Sequence, residues 1–218
     1  MSTARPQPLD GARQPAQPTD GRRARGMRSR AAILGRSVQM ASRDGLEGLT
    51  MGELAGALDV PKSSVFALFG SKQELQLATL AAARDILIEH VVLPAIGADQ
   101  GAQRLRALGE AWCAYLVSDV FAGGCFLCAA SAEMDGRPGI VREQVARVMR
   151  EWVALLEGNI EAAIANGEFA HSVDPGAMAF RLNALGMAAN WQRQLFDDSA
   201  GVRHTRLAWQ AELERARR

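Results

Sequence analysis

Residues 50–75 read TMGELAGALDVPKSSVFALFGSKQEL. Thr50, followed three positions later by Glu53, forms a capping box that predicts the start of a short helix. In this box the Glu53 carboxylate is expected to bond back to the Thr50 amide. The Asp-Val-Pro sequence at 59–61 ends the helix, and a second short helix follows until Gly70 stops it. Two short helices joined by a tight turn are typical of a helix-turn-helix unit.

The second short helix has an outer face that is available to a partner. Its apolar positions Val65, Leu68 and Phe69 are spaced to point inward. A helix of this size, supported from behind, fits the major groove of DNA, which is about 12 Å wide. The outer side chains would be Lys62, Ser63, Ser64, Phe66 and Ala67.

The flanking sequence is also helical in pattern. Upstream, an apolar stripe predicts a helix from Met27 to Gly45. Downstream, Ser71 with Glu74 forms a second capping box, which opens a long helix that Pro94 ends. Later breaks predict helices at roughly 101–118, 120–133, 139–166, 175–196 and 199–216. Because no strand pattern occurs, the sequence predicts an all-α fold.

Composition narrows the class of protein. The 218 residues are 48% apolar and 22% charged, which favours a globular protein over a disordered or fibrous one. The cysteines, Cys113, Cys125 and Cys128, are too few for a disulfide framework, so a cytoplasmic location is expected. Neither a signal peptide nor the run of about 18 apolar residues that spans a bilayer is present, so no membrane partner is expected.

Positive charge is concentrated at the N-terminus. The net charge is +1, yet residues 1–30 contain seven arginines against Asp10 and Asp20, a local charge of +5. Residues 1–27 are rich in Pro, Gln and Arg and are predicted to be a flexible basic arm. Such an arm suits a polyanion such as DNA, and an inert solvated tail is the open alternative.

A set of positions in this region carries a likeness to a known family. They are Arg30, Ile33, Gly45, Thr50, Leu54, Ala55, Val60, Lys62, Phe66, Phe69, Ser71, Lys72 and Leu75. These residues resemble the N-terminal domain of the tetracycline-repressor family. More loosely, residues 123–126 and 133–141 resemble the C-terminal domain of one of its subgroups. The resemblance implies a helix-turn-helix DNA-binding domain at 28–75 and a helical effector-binding and dimerisation domain at 76–218.

The resemblance also implies a function and a set of contacts. It implies a DNA-binding regulator, most often a repressor that a small apolar or aromatic ligand releases from a palindromic operator. Thr50 and Lys72 would bond phosphates, and Phe66 would pack on the DNA. The residues expected at double-stranded DNA are Arg28, Arg30, Thr50, Lys62, Ser63, Ser64, Phe66 and Lys72. A homodimer is expected through helices 175–196 and 199–216, or with 139–166 in place of the last.

The chain departs from the family pattern at several positions. Phe66 replaces a usual tyrosine and Leu68 a frequent histidine, which removes two hydrogen bonds to DNA. Gly52 and Ala67 are short where longer side chains often reach DNA. Asp59 replaces the turn glycine, a tolerable change because Asp adopts left-handed conformations. We therefore predict modest phosphate affinity for the unit itself, which the basic arm is expected to supplement.

The middle of the chain supplies candidates for a ligand pocket. They are Trp112, Tyr115, Phe121, Phe126, Met134, Trp152, Met187 and Trp191. A core role for the same residues stays open. Cys125 and Cys128 form a lone CxxC, so the alternative function is a redox-responsive DNA-binding regulator switched through these thiols. Neither an enzyme, a metal site nor a cofactor is expected, because the sequence lacks the corresponding motifs.

Overall fold

The computed structural model describes residues 19–118 and 120–217, and these residues form helices, turns and loops without a strand. The all-α prediction is confirmed. The helices are α1 (Thr19–Gly48), α2 (Met51–Ala57), α3 (Lys62–Phe69), α4 (Lys72–Leu87), α5 (Leu93–Ile96), α6 (Ala102–Val117), α7 (Phe126–Met134), α8 (Ile140–Ala165), α9 (Pro175–Phe196) and α10 (Ala200–Arg215). A π-helical turn, Ile88–Val92, joins α4 to α5.

Helix α1 begins earlier than the sequence predicted. It starts at Thr19 rather than Met27, so residues 19–27 are helical where a flexible arm was expected. This segment contains no proline, and its three arginines and one alanine favour a helix, while Gly21 and Gly26 oppose it. The rest of the predicted arm lies outside the described residues. Gly45, with φ 81 and ψ 163, leaves the helical conformation and breaks α1 where the sequence predicted its end.

The two short helices form where the sequence placed them. The Glu53 amide donates to Thr50 Oγ1 at 3.2 Å and caps α2. The Glu53 carboxylate, however, accepts from the Thr50 hydroxyl at 2.8 Å and not from the Thr50 amide, because the hydroxyl can accept one bond and donate another. Asp59 takes the left-handed conformation, φ 52, in the turn between the helices. Gly70, with φ 76, ends α3.

Two further helix boundaries differ from the sequence prediction for local reasons. The helical path passes Pro94 and ends at Ile96. The π turn before it widens the backbone, with the Leu93 amide donating to Ile88 O, and this accommodates a residue that lacks an N–H and crowds the preceding turn. Helix α7 begins only at Phe126, since Gly124 has φ 77 and the chain before it is a loop.

The helices share one continuous buried core. Helices α2 and α3 pack on each other, and α1 and α4 pack behind them. Helices α6, α8, α9 and α10 form the bundle of the second domain, and α4 packs against α1, α7 and α8. Helix α4 therefore connects the two parts. Across the ranges 19–118 and 120–217, none of the helices has the length and apolar character needed to cross a membrane.

Candidate functional site

A surface groove brings together residues from α2, α3 and α4. It is lined by Thr50, Met51, Gly52, Lys62, Phe66 and Lys72. Four of these are side chains that the sequence predicted at DNA. Val65 and Phe69 are buried on the inner face of α3, which turns Phe66 outward with 57% of its surface exposed. Lys62, Ser63 and Ser64 are exposed in the first turn of the same helix.

Arg30 supports α3 from behind instead of facing the groove. Its Nη1 donates to Leu68 O at 3.0 Å, and its guanidinium carbon lies 4.5 Å from the centre of the Phe69 ring. A cation at the last carbonyls of a helix and over an aromatic face stabilises that helix end. Arg30 therefore orients α3 in this structure, and its predicted contact with DNA as part of the basic N-terminal region stays a prediction. Arg28 is exposed on α1.

Lys72 is held by the last residues of α1, the segment 46–48 that follows the break at Gly45 and leads into α2. Its Nζ donates to Glu47 O at 2.6 Å and to the Glu47 carboxylate at 3.1 Å. Hydrogen bonds from Lys72 and then from Gln76 lower the pKa of Glu47. The Lys72 side chain remains partly exposed, so a DNA phosphate would compete with Glu47 for the ammonium.

The opposite side of the same segment is bound by α7. The Glu133 carboxylate accepts from the amides of Leu46 and Glu47, both at 2.8 Å. Gln76 of α4 donates to Leu46 O at 2.8 Å. The end of α1 that leads into α2 is thus fixed from α4 and from α7. A Cβ on Gly45 would lie 2.8 Å from the Glu133 carboxylate, so this approach needs a glycine there.

The loop before α7 also rests on α1. Gln39 Nε2 donates to Val120 O at 2.6 Å, and the Gly123 amide donates to Ser42 Oγ at 3.3 Å. A Cβ on Gly123 would lie 1.8 Å from Ser42 O, closer than any side chain allows. The second domain therefore contacts α1 at two places. One is at Gln39 and Ser42, before the break at Gly45, and the other is at Leu46 and Glu47, after it.

A cavity of about 220 Å³ lies between α4, the π turn and α8. Its apolar lining is Leu87, Ile88, Val92, Val148, Trp152 and Leu155. Arg84 and Glu151, joined by an ion pair of 2.9 Å, line it as well. A second, inner cavity of about 10 Å³ shares Leu87 and Trp152 with the first and adds Trp112. Helix α4 therefore runs from the groove at Lys72 to this cavity at Leu87.

The predicted pocket residues divide into three groups. Trp112 and Trp152 line the cavities. Tyr115, Phe121, Phe126 and Met134 are buried core, with the Tyr115 and Phe121 rings 6.2 Å apart. Met187 is half-buried, and Trp191 is 58% exposed on α9, where spacing alone could not distinguish an outer from an inner position. The sequence did not single out the aliphatic residues of α4 and the π turn, because they look like ordinary core.

Cys125 and Cys128 lie at the start of α7 and are buried. A hydrogen bond from the Cys128 thiol lowers the pKa of Cys125, and the same bond together with burial raises the pKa of Cys128. Both residues line the inner cavity. In the part of the chain that the structure describes, no three His, Cys, Asp or Glu side chains are grouped as metal ligands would be.

An apolar stripe is exposed on α9 and α10. Phe180 is 71% exposed, and Leu195 and Leu207 are also largely exposed. Trp191 contacts Phe196 edge to face, with ring centres 5.2 Å apart. The exposed face of α8 carries charged residues instead, among them Arg142, Arg147, Arg150 and Glu161. Among α8, α9 and α10, the exposed large apolar side chains are therefore concentrated on α9 and α10.

Two family models match the sequence. "Bacterial regulatory proteins, tetR family" matches residues 33–79, and "Tetracyclin repressor-like, C-terminal domain" matches residues 101–209, which is half of the chain. The chain belongs to the tetracycline-repressor family. Members of the tetracycline-repressor family are transcriptional regulators and not enzymes, and the groove at α2 and α3 lies within residues 33–79, which the first of the two models matches.

Solved structures of tetracycline-repressor proteins have the same fold. A regulator from Chloroflexus aurantiacus J-10-fl gives a TM-score of 0.82 at 20% identity, covering 88% of this chain and 96% of that chain. One from Cytophaga hutchinsonii gives 0.79 at 18%, covering 88% and 96%. AibR, solved with isovaleryl coenzyme A and operator DNA, gives 0.65 at 20%, covering 82% and 94%. No curated protein sequence matches the chain.

Proposed function

We propose that this protein is a homodimeric repressor that binds a palindromic operator and leaves it when a small apolar or aromatic ligand enters the cavity between α4 and α8. The observation that carries the proposal is the course of α4. Its first residue, Lys72, lines the groove with Thr50, Lys62 and Phe66, and its last, Leu87, lines the cavity. A cytoplasmic location accords with three cysteines that are free thiols.

The groove and the exposed first turn of α3 form the DNA-binding surface. Lys62, Ser63 and Ser64 approach base edges in the major groove, Phe66 packs on the DNA, and Thr50 and Lys72 meet phosphates. This surface has only two lysines, Lys62 and Lys72, to attract phosphates, and Lys72 is already bonded to Glu47. The arginines of residues 1–28 therefore supply much of the attraction to phosphates. Arg28, exposed on α1, belongs to this group.

Ligand binding reaches the DNA-binding surface through α4 and α7. A ligand that needs more space between α4 and α8 favours a state in which these helices are further apart. Gln76 of α4 and Glu133 of α7 both bond Leu46 at the end of α1, so a shift of either helix moves the end of α1 that leads into α2. The two states then differ in the distance between the two helix-turn-helix units of a dimer. AibR, which was solved with a ligand and with operator DNA, supports this combination of partners.

Dimerisation occurs through the stripe on α9 and α10. A two-fold interface places the same apolar patch of two copies face to face, which fits a stripe that contains Phe180, Trp191, Leu195 and Leu207. The charged outer face of α8 makes this helix a poor substitute for α10. Two copies present two α3 helices, which is the arrangement that a palindromic operator requires.

Selection of operators from random DNA duplexes tests this function. Full-length protein is incubated with the pool at one fixed salt concentration, and bound duplexes are recovered by gel shift and sequenced. We expect a palindromic consensus whose half-sites are separated by about one helical turn or a multiple of it. The Lys62→Ala variant is the control and should enrich the same sequence weakly. A pool that stays random, or a consensus without two-fold symmetry, would contradict the proposal.

Redox switching through Cys125 and Cys128 is the second candidate. It is favoured by the pairing of the two thiols at the start of α7, with the pKa of Cys125 lowered by the hydrogen bond from Cys128. A disulfide would pull on the helix that carries Glu133. Loss of operator binding under mild oxidation, reversed by a thiol reductant and absent in Cys125→Ser and Cys128→Ser variants, would support this candidate. Unchanged binding under oxidation excludes it.

A further inference from the structure

The loop of residues 120–125, here called the bridge, lies between α1 and α9. On the side of α1, Gln39 bonds the bridge twice. Its Nε2 donates to Val120 O at 2.6 Å, and its Oε1 accepts from the Ala122 amide at 3.2 Å. A single side chain of α1 therefore fixes two backbone groups of the bridge.

The other side of the bridge is bonded by α9. Asn190 Oδ1 accepts from the Cys125 amide at 2.8 Å, and Asn190 is only 7% exposed. Arg193, about one turn further along α9, donates through Nε to Leu116 O near the end of α6. Because the Cys125 amide is buried, loss of its acceptor would leave it without a partner at a cost in free energy.

Two adjacent glycines bring both helices close to the same part of the chain. A Cβ on Gly123 would lie 1.8 Å from Ser42 O of α1, and a Cβ on Gly124 would lie 2.7 Å from Asn190 Oδ1 of α9. Consecutive Cα atoms are about 3.8 Å apart. The positions of α1 and α9 are therefore related through one dipeptide.

The bridge is anchored in the core by Phe121. This side chain is buried, and the centre of its ring lies 6.2 Å from that of Tyr115 and 5.8 Å from that of Phe126. Protein cores are close-packed, so a shift of this ring requires its neighbours to move as well. The bridge therefore behaves as a stiff connection between α1 and α9.

This connection joins the stripe on α9 to the DNA-binding domain. Trp191, the neighbour of Asn190, belongs to the exposed stripe, and Arg30 of α1 bonds the end of α3. In a dimer formed through this stripe, the bridge thus relates each α3 to the interface. One added base pair moves a half-site by about 3.4 Å and turns it by roughly a tenth of a turn, so small changes in this relation alter the spacing that fits.

As a step that rests on the proposed function, we propose that the bridge sets the separation of the two helix-turn-helix units in the dimer. Asn190 and Gln39 are the positioning residues that determine which half-site spacing of the operator binds best. Both act through α1 and not by contact with DNA. Ligand acts through α4 and α7, whereas the bridge fixes the ligand-free geometry from the side of the dimer interface.

Hydrogen exchange of the free full-length protein, followed by mass spectrometry, tests the bridge without DNA. Asn190→Leu keeps a side chain of similar size and removes the acceptor of the Cys125 amide. We expect exchange to become about 5-fold faster or more in residues 120–125 and also in residues 39–48 of α1. Faster exchange confined to residues 120–125, with α1 at the wild-type rate, would overturn the proposal.

A matched control separates this effect from the general cost of losing a buried amide. Asn159 is buried on α8, and its Oδ1 accepts from the Gly101 amide at 3.5 Å. Asn159→Leu therefore removes the same kind of bond between α8 and the start of α6, and we expect exchange in α1 to stay at the wild-type rate. Gln39→Met, at a half-buried position, removes the bonds at the other end of the bridge and should reproduce the Asn190→Leu pattern. It also gives the answer if Asn190→Leu fails to fold.

Operators with altered spacing test the consequence for DNA. The selected half-sites are placed one and two base pairs closer together and further apart, and the affinity for each duplex is measured. We expect the ratio of affinities between the best spacing and its neighbours to fall by about 3-fold or more in Asn190→Leu and Gln39→Met, with both still sedimenting as dimers. Asn159→Leu should keep the wild-type ratio.

The two experiments fail in different ways. A wild-type ratio in both bridge variants would overturn the assignment of spacing to Asn190 and Gln39, while the proposed function would stand. If selection finds no palindrome, the proposed function is wrong, and hydrogen exchange still decides whether the bridge holds α1 in place.

Discussion

Glu133 Oε2 accepts a hydrogen bond from the amide of Leu46 at 2.8 Å, and this bond joins α7 to the end of α1 across the two domains. The other carboxylate oxygen accepts from Glu47 N at 2.8 Å. Hydrogen bonds to a charged acceptor are among the stronger ones in proteins. Glu133 thereby fixes the segment that leads into α2. Its removal should lower the free energy of unfolding and weaken the effect of ligand binding on the DNA-binding surface.

The substitution Glu133→Gln tests this contact. The amide group can accept only through one oxygen and points an NH₂ at the second backbone N–H, so we expect a loss of about 1–3 kcal/mol in the free energy of unfolding. Urea unfolding measures it. We also expect ligand to release the operator less completely. Glu161→Gln, exposed on α8, is the control and should change neither. Wild-type stability together with wild-type release would show that the contact is dispensable.

Lys62 should contribute to operator binding through its charge. Lys62→Ala removes one cation from each half-site, so we expect weaker binding and a plot of log K against log salt that is shallower by about two units for the dimer. Arg150→Ala removes an equal charge from the exposed face of α8 and should leave the slope unchanged. Fluorescence anisotropy with a labelled operator at several salt concentrations gives both values. An unchanged slope in Lys62→Ala would place this lysine away from DNA.

The arginines of residues 1–28 should supply electrostatic affinity. Deletion of residues 1–26 is expected to weaken operator binding and to flatten its salt dependence, since fewer counterions are released. Replacement of Arg22, Arg23 and Arg25 by Gln removes charge while keeping good helix formers, and it should give part of the same effect. The salt titration used for Lys62 measures both variants. If the truncated protein keeps the full-length slope, these residues do not contact DNA.

The stripe on α9 and α10 should be the dimer interface. Leu195→Arg places a charge in it and is expected to give a monomer that binds the operator weakly, because burying an unpaired charge is costly. Ile96→Arg, at an exposed position on α5, is the matched control and should remain a dimer. Analytical ultracentrifugation distinguishes the two states. A Leu195→Arg protein that sediments as a dimer would point to another surface.

Glu47 should titrate differently when Lys72 is removed. Hydrogen bonds from Lys72 and Gln76 lower its pKa in the folded protein, so its contribution to stability is present above the unfolded pKa of about 4.3 and is lost as pH falls through the folded value. Lys72→Met should raise the pKa of Glu47 and weaken this acid sensitivity. Carbon NMR of the carboxyl group reports it. Lys62→Met is the control, and an equal shift there would contradict the assignment to Lys72.

The sequence predicted most helices because caps and breakers act locally. Helix α9 begins at Pro175 and ends at Phe196 as expected, and Asp59 takes the left-handed turn conformation. The groove side chains were predictable because the spacing of Val65 and Phe69 sets the outer face of α3. Local patterns do not carry long-range contacts, which is why the bonds of Glu133 and the support of α3 by Arg30 appear only in the structure. The π turn before Pro94 was missed for the related reason that proline usually ends a helix.

The close approach of Gly123 to Ser42 also limits how domains from different family members can be joined in one chain. Consider a hybrid that joins the helix-turn-helix domain of another protein to residues 76–218 of this one. Its α1 must keep the same distance from the loop at Gly123, because the space between Gly123 and Ser42 O is too small for a methyl group. A donor helix that lies slightly higher would push the loop, and α7 with it, out of position. Halves of different family members are therefore expected to combine only where this close fit is kept.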